Sequence, residues 1–191
     1  MEREAKCTIL LGATGTGKTT LLQQIIDAVP NKTLVCTPSD VEWQHYAETE
    51  LLKPSDFEFS GVRRFVFPPL LSNSEFTEVI TRLNCFTNGT LIFDDCRMYF
   101  QANEQTNKNL RLFLGRKRQK MTDIFAVGHG FTEVPPMFFT FATDMILFRT
   151  TDDISRRKNC LKDYDKMCEL QKEVNKQAVK NPHYYKIFKF Q

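Results

Sequence analysis

The chain has 191 residues, of which 41% are hydrophobic and 26% charged, with 17 Phe; these are the proportions of one globular domain and they exclude a disordered, collagen-like or coiled-coil chain. Six cysteines without a Cys-x-x-Cys pair, and three histidines apart from them, exclude a zinc ribbon and a disulfide framework; with no apolar run long enough for a membrane helix and a charged start at Met1–Lys6, a cytosolic chain with reduced thiols is expected. The formal charge of +3 is unevenly spread, because residues 149–191 carry 11 basic and 6 acidic side chains while the first 110 residues are net acidic; a late basic excess suits either a solvated face or a phosphate-backbone surface.

Strand and helix signals alternate from the start. Cys7 to Leu11 is a short apolar, β-prone run ending at Gly12. After a glycine-rich turn, Leu21, Leu22, Ile25, Ile26 and Val29 fall on one helical face that Pro30 stops. Thr33 to Thr37 reads as a second strand closed by Pro38. Val41 to Glu50 is expected as a solvent-facing helix, and Val62 to Phe67 as a strand before Pro68 and Pro69. Ser72 and Glu75 have capping-box spacing ahead of a helical stripe of Phe76, Val79, Ile80 and Leu83. Asn88 and Gly89 then turn the chain into a buried strand, Thr90 to Asp94, with acids at its carboxyl end.

A polar stretch from Gln101 to Asn109 leads into a basic helical segment with Leu110, Phe113 and Leu114 beside Arg111, Arg116, Lys117, Arg118 and Lys120. Asp123 to Val127 is a further strand, closed by Gly128-His129-Gly130. Pro135 and Pro136 open an aromatic helix, and Met145 to Phe148 reads as another strand. Residues 153–180 are charged and helix-prone, and Tyr184 to Phe190 ends the chain as a strand-like run. The alternation predicts an α/β fold: a largely parallel sheet flanked by helices. The chain is expected to be one domain over residues 1–191, with residues 151–191 a basic helical and strand extension packed on the core.

Gly12, Ala13, Thr14, Gly15, Thr16, Gly17, Lys18 and Thr19, followed by Thr20, satisfy the phosphate-loop pattern G-x-x-x-x-G-K-[ST], placed as required between a strand and a helix. The glycines let the backbone wrap phosphates, so that successive N–H groups and the helix N-terminus point at negative charge. Lys18 is expected to reach the β and γ phosphates of ATP, and the Thr19 hydroxyl to ligate Mg²⁺. The strand ending at Asp94 delivers a carboxylate to the sheet edge where that magnesium belongs, a Walker B arrangement. Asp95 is then placed to orient the attacking water, a role that a kinase acting on small hydroxyl substrates would not need. His129, at the end of the next strand, faces the same crevice and is a candidate sensor of the γ phosphate, or else a cap of its glycine loop. Arg116, Lys117 and Arg118 precede that strand, where an Arg could stabilise transition-state charge at a neighbouring subunit's nucleotide, or simply end a solvated helix.

The order of phosphate loop, paired acids Asp94-Asp95-Cys96-Arg97, basic helix and the strand Asp123 to His129 resembles the FtsK/HerA superfamily of DNA-pumping ATPases. Its small viral members, the genome-packaging ATPases of tailless membrane-containing viruses, are similar in length and motif order over roughly residues 5–150. The superfamily usually has Asp-Glu for the acids and Gln for the sensor, where this chain has Asp94-Asp95 and His129. The resemblance implies a RecA-like P-loop NTPase that hydrolyses ATP with Mg²⁺ as a pentameric or hexameric homo-oligomer ring, translocating double-stranded DNA without sequence preference. It also implies a capsid or portal-vertex partner, a location in the host cytoplasm or at the virion packaging vertex, and Arg118 as the finger acting in trans. Two other readings compete. One is a small nucleotide kinase using Arg111 to Arg118 as a phosphate-clamping lid; the other is an assembly ATPase similar to the Zot-like proteins of filamentous phages, which normally carry a membrane helix.

Overall fold

The computed structural model describes residues 4–29, 31–39, 41–51, 53–68, 72–98 and 104–190. Pro30, Pro69 and the start of the polar stretch at Gln101 lie outside them. Eight strands form one sheet: β1 (Cys7–Leu11), β2 (Thr33–Thr37), β3 (Ala47–Glu48), β4 (Val62–Val66), β5 (Gly89–Phe93), β6 (Thr122–Gly128), β7 (Asp144–Phe148) and β8 (Tyr185–Lys189). Their order is β3-β4-β2-β5-β6-β1-β7-β8. Every neighbouring pair is parallel except β7 and β8. Among the described residues, five α-helices complete the layers: α1 (Lys18–Ala28), α2 (Asn73–Leu83), α3 (Glu104–Gly115), α4 (Pro136–Phe141) and α5 (Tyr164–Ala178).

The near-continuous apolar strands are explained by burial on both faces, since successive side chains of a strand point to opposite sides. Leu10, Val35, Ile92, Val127, Ile146 and Phe148 pack on one side with Leu22 and Ile26 of α1. Their neighbours Ile9, Leu34, Leu91, Ile124 and Met145 pack on the other side with Phe76, Ile80, Leu110, Phe113, Phe138 and Val174, contributed by α2 to α5. The capping box forms as the spacing predicts: the Ser72 hydroxyl accepts the Glu75 N–H, and Glu75 accepts the Ser72 N–H. Among the described residues no helix is long and apolar enough to cross a membrane. All six thiols are free, and burial pushes that of Cys7 up to about 12.

Two expectations need correction. The segment from Val41 to Glu50 is not a helix; it is a series of turns ending in the short β3. The Ser39 hydroxyl accepts the N–H groups of Val41 and Glu42 and folds the chain back, which drives Trp43 into the α1 side of the core. Residues 153–180 are also interrupted. A 3-10 turn at Ile154–Arg157 precedes α5, which starts only after Asp163 takes a left-handed φ of 53°.

Candidate active site

The crevice at the carboxyl ends of the parallel strands holds the phosphate loop. Gly12 N–H donates to the Gly128 carbonyl and Ala13 N–H to the Arg149 carbonyl, so the loop is tied to the strands on both sides of β1. Gly12 is required by space, because a Cβ there would lie 2.5 Å from the Phe148 Cβ and 2.8 Å from Thr16 Oγ1. Gly17 is required by conformation: it caps α1 with φ 97°, which L side chains adopt at a cost. The N-terminus of α1 and its unpaired N–H groups therefore open into the crevice, a ready anion site.

Thr14, Gly15, Gly17, Lys18, Thr19, Thr20, Asp94, Asp95 and His129, all expected at the site, line one cavity of about 390 Å³. Gly12, Ala13 and Thr16 complete the loop behind it. Lys18 Nζ donates to the Gly12 carbonyl at 2.6 Å and the Ala13 carbonyl at 3.2 Å, and lies 3.4 Å from His129 Nδ1. An ammonium has only donors, so Nδ1 is the acceptor and Nε2 carries the His129 proton. That Nε2 lies 3.9 Å from Asp95 Oδ1. Asp95 turns toward it through a φ of 51°, a left-handed conformation that Asp tolerates better than most residues.

Asp94 is buried, and burial raises its carboxyl above the usual range while the hydrogen bond from Trp43 and, more weakly, Lys18 oppose the rise; burial likewise lowers the Lys18 ammonium, with Asp94 and then Asp95 opposing. Each group is thus held in its charged form partly by the other. The donor set suits a hard cation: the Thr19 hydroxyl in the first turn of α1 and the Asp94 and Asp95 carboxylates are all oxygen ligands facing the same cavity. Asp95, His129 and Glu133 also bring one ligand atom each to within 4.8 Å of one another.

Four participants had no sequence signal. Trp43 Nε1 donates to Asp94 Oδ2 at 2.7 Å, and Thr37 Oγ1 reaches the same oxygen at 3.4 Å. Glu133 accepts the His129 backbone N–H at 2.9 Å on one oxygen and pairs with Arg97 at 3.1 Å on the other. Finally, His183, from the turn between α5 and β8, lies against the phosphate loop with Nδ1 3.1 Å from the Thr16 carbonyl.

Other expected residues lie elsewhere. Arg116 and Arg118 sit between the end of α3 and the start of β6, at the amino edge of the parallel sheet, and Arg118 lines a separate cavity with Asp123 and Met121. Neither lines its own chain's phosphate-loop cavity, so the arrangement does not support the Arg111 to Arg118 segment as a lid. Arg157 is committed to structure: its guanidinium donates to the carbonyls of Phe131, Thr132 and Val134, at 2.7 to 3.3 Å. This braces the loop that carries Glu133, whereas Arg156 and Lys158 beside it are exposed.

No family model matches the sequence, and no curated protein matches it. Among solved structures, the chain is similar to the genome packaging NTPase B204 from Sulfolobus turreted icosahedral virus 2 in complex with AMPPCP, at 12% identity and a TM-score of 0.67 over 97% of this chain and 92% of that one. The complex of the same protein with ATP-gammaS gives 12% identity and a TM-score of 0.59 over 97% and 92%. B204, the DNA-packaging ATPase from Sulfolobus Turreted Icosahedral Virus, gives 13% identity and a TM-score of 0.66 over 99% and 94%. The chain has the P-loop NTPase fold of these proteins along nearly its whole length.

Proposed function

We propose that this chain is an ATP-hydrolysing motor subunit that moves double-stranded DNA into a viral capsid as part of a homo-oligomeric ring. The observation that carries the reading is the Asp95 and His129 pair beside Lys18 and the phosphate loop. The fold it shares with B204, solved with AMPPCP and ATP-gammaS, supports the same reading.

ATP lies with its β and γ phosphates on the loop N–H groups and α1, where Lys18 exchanges its bonds to the loop carbonyls for phosphate oxygens. Thr19 and Asp94 would hold Mg²⁺, which supplies neutralisation of the phosphate charge. Asp95 Oδ1 accepts a proton of the attacking water and aims its oxygen along the line of the scissile bond, with His129 Nε2 facing it across 3.9 Å. Phosphoryl transfer needs little beyond such positioning and electrostatic compensation. Arg118, at the far edge of its own sheet, meets the nucleotide of the next subunit and stabilises the charge that develops there. The exposed cations after β7, Arg156 and Lys158 among them, contact DNA phosphates, so binding follows charge and not base sequence.

ATP turnover measured alone, with double-stranded DNA and with added nucleoside monophosphate tests the reading. Stimulation by DNA of arbitrary sequence, falling steeply with salt, is expected. Stimulation only by a monophosphate, with diphosphate as the product of both nucleotides, would overturn the motor in favour of a kinase.

A further inference from the structure

The cavity around the phosphate loop has two ends. Lys18, Asp94, Asp95 and His129 lie toward β5 and β6, on one side of β1. His183 lies on the other side, beyond β1, on the turn that leads into β8. The proposed function fixes the terminal phosphate beside the carboxylates and the lysine. The sugar and base, at the other end of a nucleoside triphosphate, then leave the loop past Gly17, over which His183 stands.

The turn is built to hold the imidazole there. Asn181 accepts the His183 N–H on its side-chain oxygen at 3.1 Å, and its own carbonyl accepts the Tyr184 N–H at 2.9 Å. The ring then sits over Gly17, where even a Cβ would come within 3.1 Å of His183 Nδ1. Because a carbonyl oxygen only accepts, Nδ1 must donate to Thr16, and the ring orientation is fixed from the loop side. Among the described residues that line the cavity, only His183 and His129 carry aromatic rings, and His129 is committed at the phosphate end. An exposed imidazole flanked by threonine and glycine offers a base a flat π-face.

We infer that His183 is the nucleoside contact of this site: its ring packs against the base and ribose of the bound nucleoside triphosphate and makes no essential contact with the β and γ phosphates. The inference rests on the nucleotide reading above.

The test is calorimetric titration of the full chain, with Mg²⁺ present, using ATP and inorganic tripolyphosphate as separate ligands. His183→Ala is expected to weaken ATP by roughly tenfold, the scale of one base-stacking contact, and to leave tripolyphosphate within about twofold. His183→Phe keeps a ring but loses the donor to Thr16, and it is expected to restore most of the ATP affinity. Equal weakening of both ligands by His183→Ala, without rescue by Phe, would show that the residue only braces the phosphate loop and would overturn the inference. So would unchanged ATP affinity in His183→Ala. If the unsubstituted chain binds tripolyphosphate and ATP equally well, base and ribose make no contact and the inference also fails. If it binds neither, the nucleotide reading itself is wrong.

Discussion

The two flanks of the phosphate loop differ in how they are held. Toward β6, the site is cross-braced: Lys18 and Asp94 are buried, Asp94 is fixed by Trp43 and Thr37, and the loop after His129 is held by Glu133, Arg97 and Arg157. Toward β8, a single exposed ring rests on the loop through one hydrogen bond from a surface turn. Reaction geometry tolerates displacements far smaller than an ångström, whereas a base needs only a surface to lie on. Substitutions on the braced side should therefore alter turnover, and those on the open side affinity.

Lys18 anchors the phosphates on which both flanks depend, and its removal is the harshest way to break the contrast. Lys18→Ala should abolish measurable ATP binding, because no other Lys or Arg among the described residues lines the cavity to balance the full charge of the β and γ phosphates. Retained affinity in equilibrium titration would undo the account of both sides at once. The next effect belongs to the far edge of the sheet. Arg118→Ala should bind ATP normally and assemble, yet lose turnover by as much as about 10³-fold, since an arginine finger acts only in the transition state. Mixing Arg118→Ala with Lys18→Ala subunits should restore part of the activity, because an intact loop then meets an intact neighbouring finger. A strictly monomeric enzyme of full activity would exclude the finger.

Trp43→Phe sharpens the contrast most finely. Phenylalanine keeps the ring in the core but leaves Asp94 without its 2.7 Å donor, and a hydrogen bond to a charged group is worth about 1.5–3 kcal/mol. Turnover should fall about tenfold and the Mg²⁺ requirement rise, while ATP affinity at saturating Mg²⁺ changes little. A loss of thermal stability with unaltered turnover would reduce Trp43 to a packing residue. As the sole tryptophan of the chain, it also supplies a fluorescence signal for occupancy of the metal side.

The contrast explains what was legible in the sequence. The phosphate loop is contiguous, so its glycines, lysine and threonine announce themselves by spacing. The parallel sheet shows in apolar runs that keep both faces buried. Trp43 was hidden because it reaches an acid 51 positions away, a contact that exists only once β2 and β5 are paired. Its segment reads as a helix because Glu, Gln and Ala set around Trp43 and Tyr46 imitate amphipathic spacing when no Gly or Pro interrupts them. His183 is separated from Thr16 by 167 positions and arrives through the antiparallel addition of β8. Arg157 belongs to the late basic excess, yet its guanidinium is spent on three backbone carbonyls.

The central claim is that Asp95 belongs to the reaction and not to binding. Asparagine fits the same left-handed backbone and keeps the side-chain volume, so Asp95→Asn removes the charge and its proton-accepting role with little else. Single-turnover hydrolysis with pre-bound Mg·ATP isolates the chemical step from binding and release. The account predicts ATP affinity within about threefold of the unsubstituted chain and a hydrolysis rate lower by roughly 10²-fold or more, in line with the loss of a positioned general base. Unchanged single-turnover hydrolysis in Asp95→Asn would contradict it.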